Sequence, residues 1–141
     1  MNRNERGFTI IELMFAVGIV GVLAAIALPV YFDYTTRAKV SEGFALADRV
    51  KTGVTETYLM SPGWKESNSE YGLSDPEEIR GEYVTGVEAI LDTITITYTG
   101  VGRGVPDGST VQLVGTPTQG SVAWACKSDN IKSKYLPAIC R

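Results

Sequence analysis

GFTIIELMFAVGIVGVLAAIALPVYF, residues Gly7 to Phe32, decides how the rest of the chain must be read. From Leu13 to Phe32 run twenty residues without a formal charge. As a helix, that run is long enough to cross a bilayer core of about 30 Å. One carboxylate, Glu12, stands near its start. An acid in such a span costs roughly 2.5–3.5 kcal/mol at the centre on insertion scales, and less near an end. Glu12 therefore calls for a partner, unless it is an acid tolerated at the interface.

Small side chains at Gly18, Gly21, Ala24, Ala25 and Ala27 dot the same span, and Gly21-xxx-Ala25 has the spacing that lets apolar helices approach closely. A monomeric anchor with unremarkable glycines is the plainer reading. Pro29 lacks a backbone N–H and crowds the carbonyl four residues back, so a kink is expected there. Beyond it the pattern turns amphipathic. Val40, Phe44, Ala47, Val50, Val54 and Tyr58 recur every three or four residues, with Lys39, Glu42, Asp48, Arg49, Lys51 and Glu56 on the wet side. Ser61-Pro62-Gly63 stops the helix near Met60. From Phe8 to Met60 such a helix is roughly 80 Å long, more than one bilayer needs. Its first half can anchor while its second half packs on a domain.

The chain of 141 residues suits one globular unit plus that anchor. A net charge of −3 and a pI near 5.0 argue against a general nucleic-acid binder. Histidine is absent, which removes the commonest general base and metal ligand. The opening residues MNRNERG carry Arg3 and Arg6 against Glu5, and basic residues before an apolar span favour a cytoplasmic N-terminus. An ordinary secretory signal competes with this reading. Ala25-Ile26-Ala27 fits a small-x-small cleavage site and would leave Leu28 as the mature terminus. Against it stand Glu12, the very short leader and the apolar residues continuing to Phe32.

Residues 61–82 are polar and read as a connecting loop with a short helical turn at Asp75-Pro76-Glu77-Glu78. Strands follow over residues 83–127: Tyr83–Ala89, Thr93–Tyr98, Thr110–Val114 and Val122–Cys126. In Thr93-Ile94-Thr95-Ile96-Thr97-Tyr98 the isoleucines and the tyrosine share one face and the threonines the other. Gly100–Gly108 (GVGRGVPDG) has no nucleotide-binding spacing and is read as a structural turn. The expected fold class is α+β: one long helix laid on an antiparallel sheet of about four strands. Cys126 and Cys140 are the only cysteines, and in an exported protein an even pair points to a disulfide, worth about 3 kcal/mol for a loop of this size. Two cysteines make a poor metal site, and their separation is no CxxC redox motif. Lys127, Lys132, Lys134 and Arg141 crowd the tail against Asp129 alone. That basic edge could meet DNA, a host surface or the acidic face of a neighbouring subunit, or be a solvated loop.

A short basic leader ending in Gly7, then Phe8-Thr9-Ile10-Ile11-Glu12-Leu13 and a long apolar helix, resembles the class III signal of type IV pilins, specifically the type IVa branch. Trp124-x-Cys126 and Lys134-Tyr135-Leu136-Pro137…Cys140 resemble that family's disulfide-bounded C-terminal region, residues 126–141 here. The resemblance is strong at both ends of the chain and covers the middle only in outline. It implies a leader, residues 1–7, cut between Gly7 and Phe8 by a membrane-embedded aspartic peptidase that also methylates the new amine on Phe8. It implies a transmembrane and filament-core helix over residues 8–32 and an amphipathic continuation over residues 33–60, with loosening near Pro29 on assembly. It implies that Glu12 pairs with the Phe8 amine of a neighbouring subunit.

The function implied is that of a structural subunit polymerised into a surface filament for adhesion, motility or DNA uptake. Its partners are copies of itself, the prepilin peptidase, the inner-membrane assembly machinery and the membrane. The precursor is expected in the inner membrane, globular part in the periplasm, and the mature subunit in the surface pilus. A minor pilin or a type II secretion pseudopilin shares the signal. A secreted or tethered binding domain with an ordinary signal is the alternative of another class. No enzyme motif, cofactor or metal-ligand spacing is found, so neither catalysis nor a cofactor is expected.

Overall fold

The computed structural model describes residues 7–141. Met1–Arg6, most of the expected leader, lies outside the described residues. Helix α1 spans Ile10–Met60, and four strands follow: β1 (Val84–Ile90), β2 (Thr93–Tyr98), β3 (Thr110–Thr118) and β4 (Ser121–Lys127). By contacts the chain divides into two units, one reaching to Tyr34 and the other spanning Thr35–Arg141. The strands pair in sequence order as an antiparallel meander, β1-β2-β3-β4. The α+β helix-on-sheet class is the one expected from the pattern.

Within the Thr35–Arg141 unit, the helix periodicity and the strand alternation meet in one core. Val40, Ala47, Val50 and Val54 of α1 are buried with Val87, Ile94, Ile96, Tyr98, Val111 and Leu113 of the sheet. Each such aliphatic side chain contributes about 1.5–3 kcal/mol when fully removed from water. Thr36 and Gly43 join the buried stripe although neither is a hydrophobic marker. Gly43 is there because the Tyr98 ring lies against the helix backbone, where a Cβ would collide with its hydroxyl. That hydroxyl donates to the carbonyl of Val40 at 2.9 Å. Burial, and then the nearby Glu42 charge, push the Tyr98 pKa well above the ordinary tyrosine range.

Two residues expected on the wet side do structural work instead. Glu42 is half-buried, and its carboxylate accepts from the N–H groups of Glu82 and Tyr83, both at 2.8 Å. Lys39 is half-buried too; its ammonium donates to the Val101 carbonyl at 3.2 Å and sits 4.6 Å from the centre of the Tyr83 ring. Their long stems flank the apolar stripe while their heads satisfy loop backbone.

The loop over residues 61–82 is pinned by one buried side chain. Asn68 Nδ2 donates to the carbonyls of Ser74 (2.9 Å) and Val87 (3.1 Å), and its Oδ1 accepts from Ala89 N–H at 2.6 Å. The turn expected at Asp75–Glu78 is a 3-10 turn, Pro76–Glu78, and a second one spans Ser69–Tyr71. Tyr71 accepts from Lys65 N–H at 2.8 Å and donates to Leu91 O at 2.6 Å. Strand β3 continues past the expected end at Val114 to Thr118, through Pro117. The β2 ladder ends at Val114 and Gly115 N–H still donates to Asp92 O at 2.7 Å, so from Thr116 to Thr118 the strand pairs only with β4 and has one unpaired side where a missing N–H is tolerated.

Candidate functional site

At the start of α1, Thr9 and Glu12 bond reciprocally. The Thr9 N–H donates to Glu12 Oε2 at 2.9 Å and its hydroxyl to the same oxygen at 2.7 Å, while Glu12 N–H reaches Thr9 Oγ1 at 3.3 Å. This is a capping box: side chains three residues apart satisfy backbone donors that the first helical turn leaves without partners. The anion also sits at the positive end of the helix dipole. Sequence reading singled out the acid but missed the box, although a Thr-x-x-Glu ahead of an apolar run signals it. Gly7 and Phe8 precede the box, both exposed, with Phe8 at 86%. Phe8 lies four residues before Glu12 and outside helix α1, which begins at Ile10.

From Gly7 to Phe32 every residue is exposed except Ala24, which is half-buried. The large apolar side chains Ile10, Leu13, Phe15, Val20 and Ile26 are each at least 60% exposed. A helix of this composition is made for hydrocarbon or for other helices, because so much apolar surface in water is unfavourable. Shallow apolar troughs run along it, one beside Ile11, Phe15, Gly18 and Val22 and another beside Leu23, Ile26, Val30 and Tyr34. Nothing lies within 4 Å of a Cβ placed on Gly18 or Gly21, so both notches are open. The helix assignment continues across Pro29, whose missing N–H leaves the Ala25 carbonyl without its usual donor.

In the Thr35–Arg141 unit, Cys126 and Cys140 form a disulfide with their Cα atoms 4.9 Å apart. It ties the tail to β4, and Ile131, Tyr135, Leu136 and Cys140 of that tail are buried. Lys127, Lys132, Lys134 and Arg141 are exposed. A polar groove beside Trp124 is lined by Asp48, Lys51, Thr52, Thr55 and Glu56, with Lys51 and Asp48 paired at 2.6 Å. Among the described residues no group of three or more His, Cys, Asp or Glu side chains could hold a metal ion.

Comparison with known proteins finds relatives of both parts of the chain. A family model described as pilin, a bacterial filament protein, matches residues 36–141. A model of the prokaryotic N-terminal methylation motif matches residues 2–28. The type IV major pilin protein PilE1 of Neisseria gonorrhoeae is 42% identical over the whole chain, which covers 89% of that relative. The fimbrial protein EcpC of Eikenella corrodens is 42% identical over 97% of this chain and 91% of its own length. A fimbrial protein of Moraxella nonliquefaciens is 35% identical over 95% of both. With one family model on the globular part, another on the exposed apolar helix and relatives spanning both, the chain belongs to the pilin family.

Proposed function

We propose that this chain is the structural subunit of a type IV pilus, assembled through the helix that its own fold leaves uncovered. The observation that carries the reading is the exposed apolar span ending in the Thr9–Glu12 box. In the precursor, the span sits in the inner membrane with the N-terminus in the cytoplasm and the globular part in the periplasm. A prepilin peptidase cuts between Gly7 and Phe8, and the new amine is methylated. While the subunit waits in the bilayer, Thr9 keeps the Glu12 carboxylate hydrogen-bonded, so it is not a bare charge in hydrocarbon.

On assembly Glu12 turns from Thr9 to the Phe8 amine of a neighbouring subunit. A buried ion pair adds little over an apolar contact, but an unpaired charge is costly, so the pair selects the axial register. Side chains from Ile10 to Phe32 then pack in the filament core, with the notches at Gly18 and Gly21 admitting adjacent helices. The backbone near Pro29 is where the helix opens most cheaply.

Intact and N-terminal peptide mass of protein sheared from the cell surface tests this. A terminus at N-methylated Phe8, recovered in quantity, is expected. A terminus at Leu28, on protein free of the membrane, would remove the anchor and the filament core together.

A further inference from the structure

The chain has two tryptophans, far apart in sequence, and the fold brings both to one glycine. Trp64 stands in the loop after α1 and Trp124 on β4. A Cβ on Gly115 of β3 would stand 2.9 Å from the Trp64 ring and 3.1 Å from the Trp124 ring. Gly115 and Trp124 are partners in the β3–β4 ladder, so the absent side chain leaves room for one indole beside the other. Tyr58, near the end of α1, backs the Trp64 indole with ring centres 4.6 Å apart. All three aromatic residues are half-buried. Trp124 is therefore braced by packing on one side, and it also walls a groove of about 410 Å³. The rest of that groove belongs to α1: Asp48, Lys51, Thr52, Thr55 and Glu56.

Some polar groups of the groove are fixed and others are open. Lys51 and Asp48 are paired at 2.6 Å, and the Thr52 hydroxyl donates to the Asp48 carbonyl at 3.0 Å. Among the described residues, the Thr55 hydroxyl and the Glu56 carboxylate have no hydrogen-bond partner. An aromatic wall beside open donors and acceptors fits a ligand with one apolar face and a hydroxylated rim. A pyranose ring has both, with C–H bonds on one face and hydroxyls around its edge. A purely apolar ligand would strip water from Glu56 and Thr55 without replacing it. An acidic ligand would meet the carboxylates of Asp48 and Glu56. We infer that this groove binds a neutral saccharide, with one pyranose ring stacked on Trp124. Glu56 accepts from its hydroxyls, Thr55 donates to or accepts from them, and Lys51 has ammonium protons to spare beyond its pair with Asp48. Small-molecule sites run from about 300 to 1,000 Å³, so a groove of about 410 Å³ suits a short saccharide. The groove lies wholly within the Thr35–Arg141 unit and does not depend on the polymer reading.

The test titrates the full chain, dispersed in a detergent without a sugar headgroup, with methyl glucoside, methyl galactoside and N-acetylglucosamine. Trp64→Phe leaves Trp124 as the sole indole, so its fluorescence reports the groove directly. A saturable change with a midpoint on the order of 1 mM is expected for at least one sugar, the range open to a ligand of this size. On the unaltered chain, saturation-transfer NMR should show the sugar's ring C–H protons receiving most of the transfer, and Trp124→Ala should abolish it. Glu56→Ala and Thr55→Val change only α1 side chains that lack partners. Each should weaken binding about threefold to tenfold with the thermal midpoint unchanged. No saturable response to any of the three sugars, from a chain that melts cooperatively, would overturn the site. So would a response that Glu56→Ala and Thr55→Val both leave unchanged. Tetramethylammonium producing the response in place of the sugars would overturn it in favour of an organic cation held by the indole and the carboxylates. A chain that binds the sugars but forms no filaments would overturn the polymer reading and leave this site standing.

Discussion

Glu12 is engaged within its own chain at the start of α1. Its carboxylate is already bonded to the N–H and hydroxyl of Thr9 before any neighbour is present. Glu12→Gln keeps an acceptor for Thr9 and removes the charge, whereas Glu12→Ala removes both. If charge pairing sets the register, both variants should be cleaved and membrane-inserted yet give filament recoveries at least about tenfold below the parent. Wild-type recovery from the glutamine variant would mean that the cap alone matters. Tyr98 makes a second residue-scale case. Its raised pKa keeps it neutral in the fold, while the unfolded residue ionises near pH 10. Its contribution is therefore fully present below about pH 10 and is lost as pH rises further. Tyr98→Phe should cost about 1 kcal/mol at neutral pH, through the lost bond to Val40, and should flatten the loss above about pH 10. Denaturant unfolding followed by circular dichroism across that range measures both effects.

At the scale of elements, what matters is how loops are fastened to regular structure. Asn68 holds the loop over residues 61–82 on β1 with two hydrogen bonds from one buried side chain, to Val87 and Ala89, while a third to Ser74 closes the loop on itself. Asn68→Ala leaves buried backbone groups of Val87 and Ala89 without partners and should cost about 2–3 kcal/mol. Amide exchange should accelerate across residues 65–82 more than in β2 and β3; uniform acceleration would deny the loop a local fastening. The hairpin between β1 and β2 is legible in outline only. Strand β2 was readable to the residue from its Thr-Ile alternation, because a half-buried strand writes its pattern with period two. Its turn was not: Leu91 takes a positive φ of 53°, a conformation its own side chain does not favour, and Asp92 beside it is the turn's one characteristic residue. The conformation is imposed from outside, by Leu91 N–H on Lys65 O at 2.6 Å and by Tyr71 on the Leu91 carbonyl.

For the whole molecule, the tail is tied covalently to the sheet through the bond between Cys126 and Cys140. The pair closes a separation of fourteen residues. Replacing both with serine should lower stability by about 3 kcal/mol in the chain-entropy model. Thermal unfolding of the detergent-solubilised protein, with and without reductant, checks the figure; a reductant-insensitive midpoint would contradict it.

Much of this protein is written in local pattern, and local pattern was enough for it. The apolar run to Phe32, the stripe from Val40 to Tyr58, the stop at Ser61-Pro62-Gly63 and the strand alternations follow from periodicity and from which residues tolerate which backbone. So did the cysteine pair, two thiols in a chain whose leader points to export. What only the tertiary structure decided are contacts between residues far apart in sequence: Tyr98 against Gly43, Glu42 under Glu82 and Tyr83, Asn68 across β1, and both tryptophans against Gly115. Hydrogen bonds and close approaches depend on where backbone groups converge in space. A glycine or an asparagine looks the same in sequence wherever that convergence occurs.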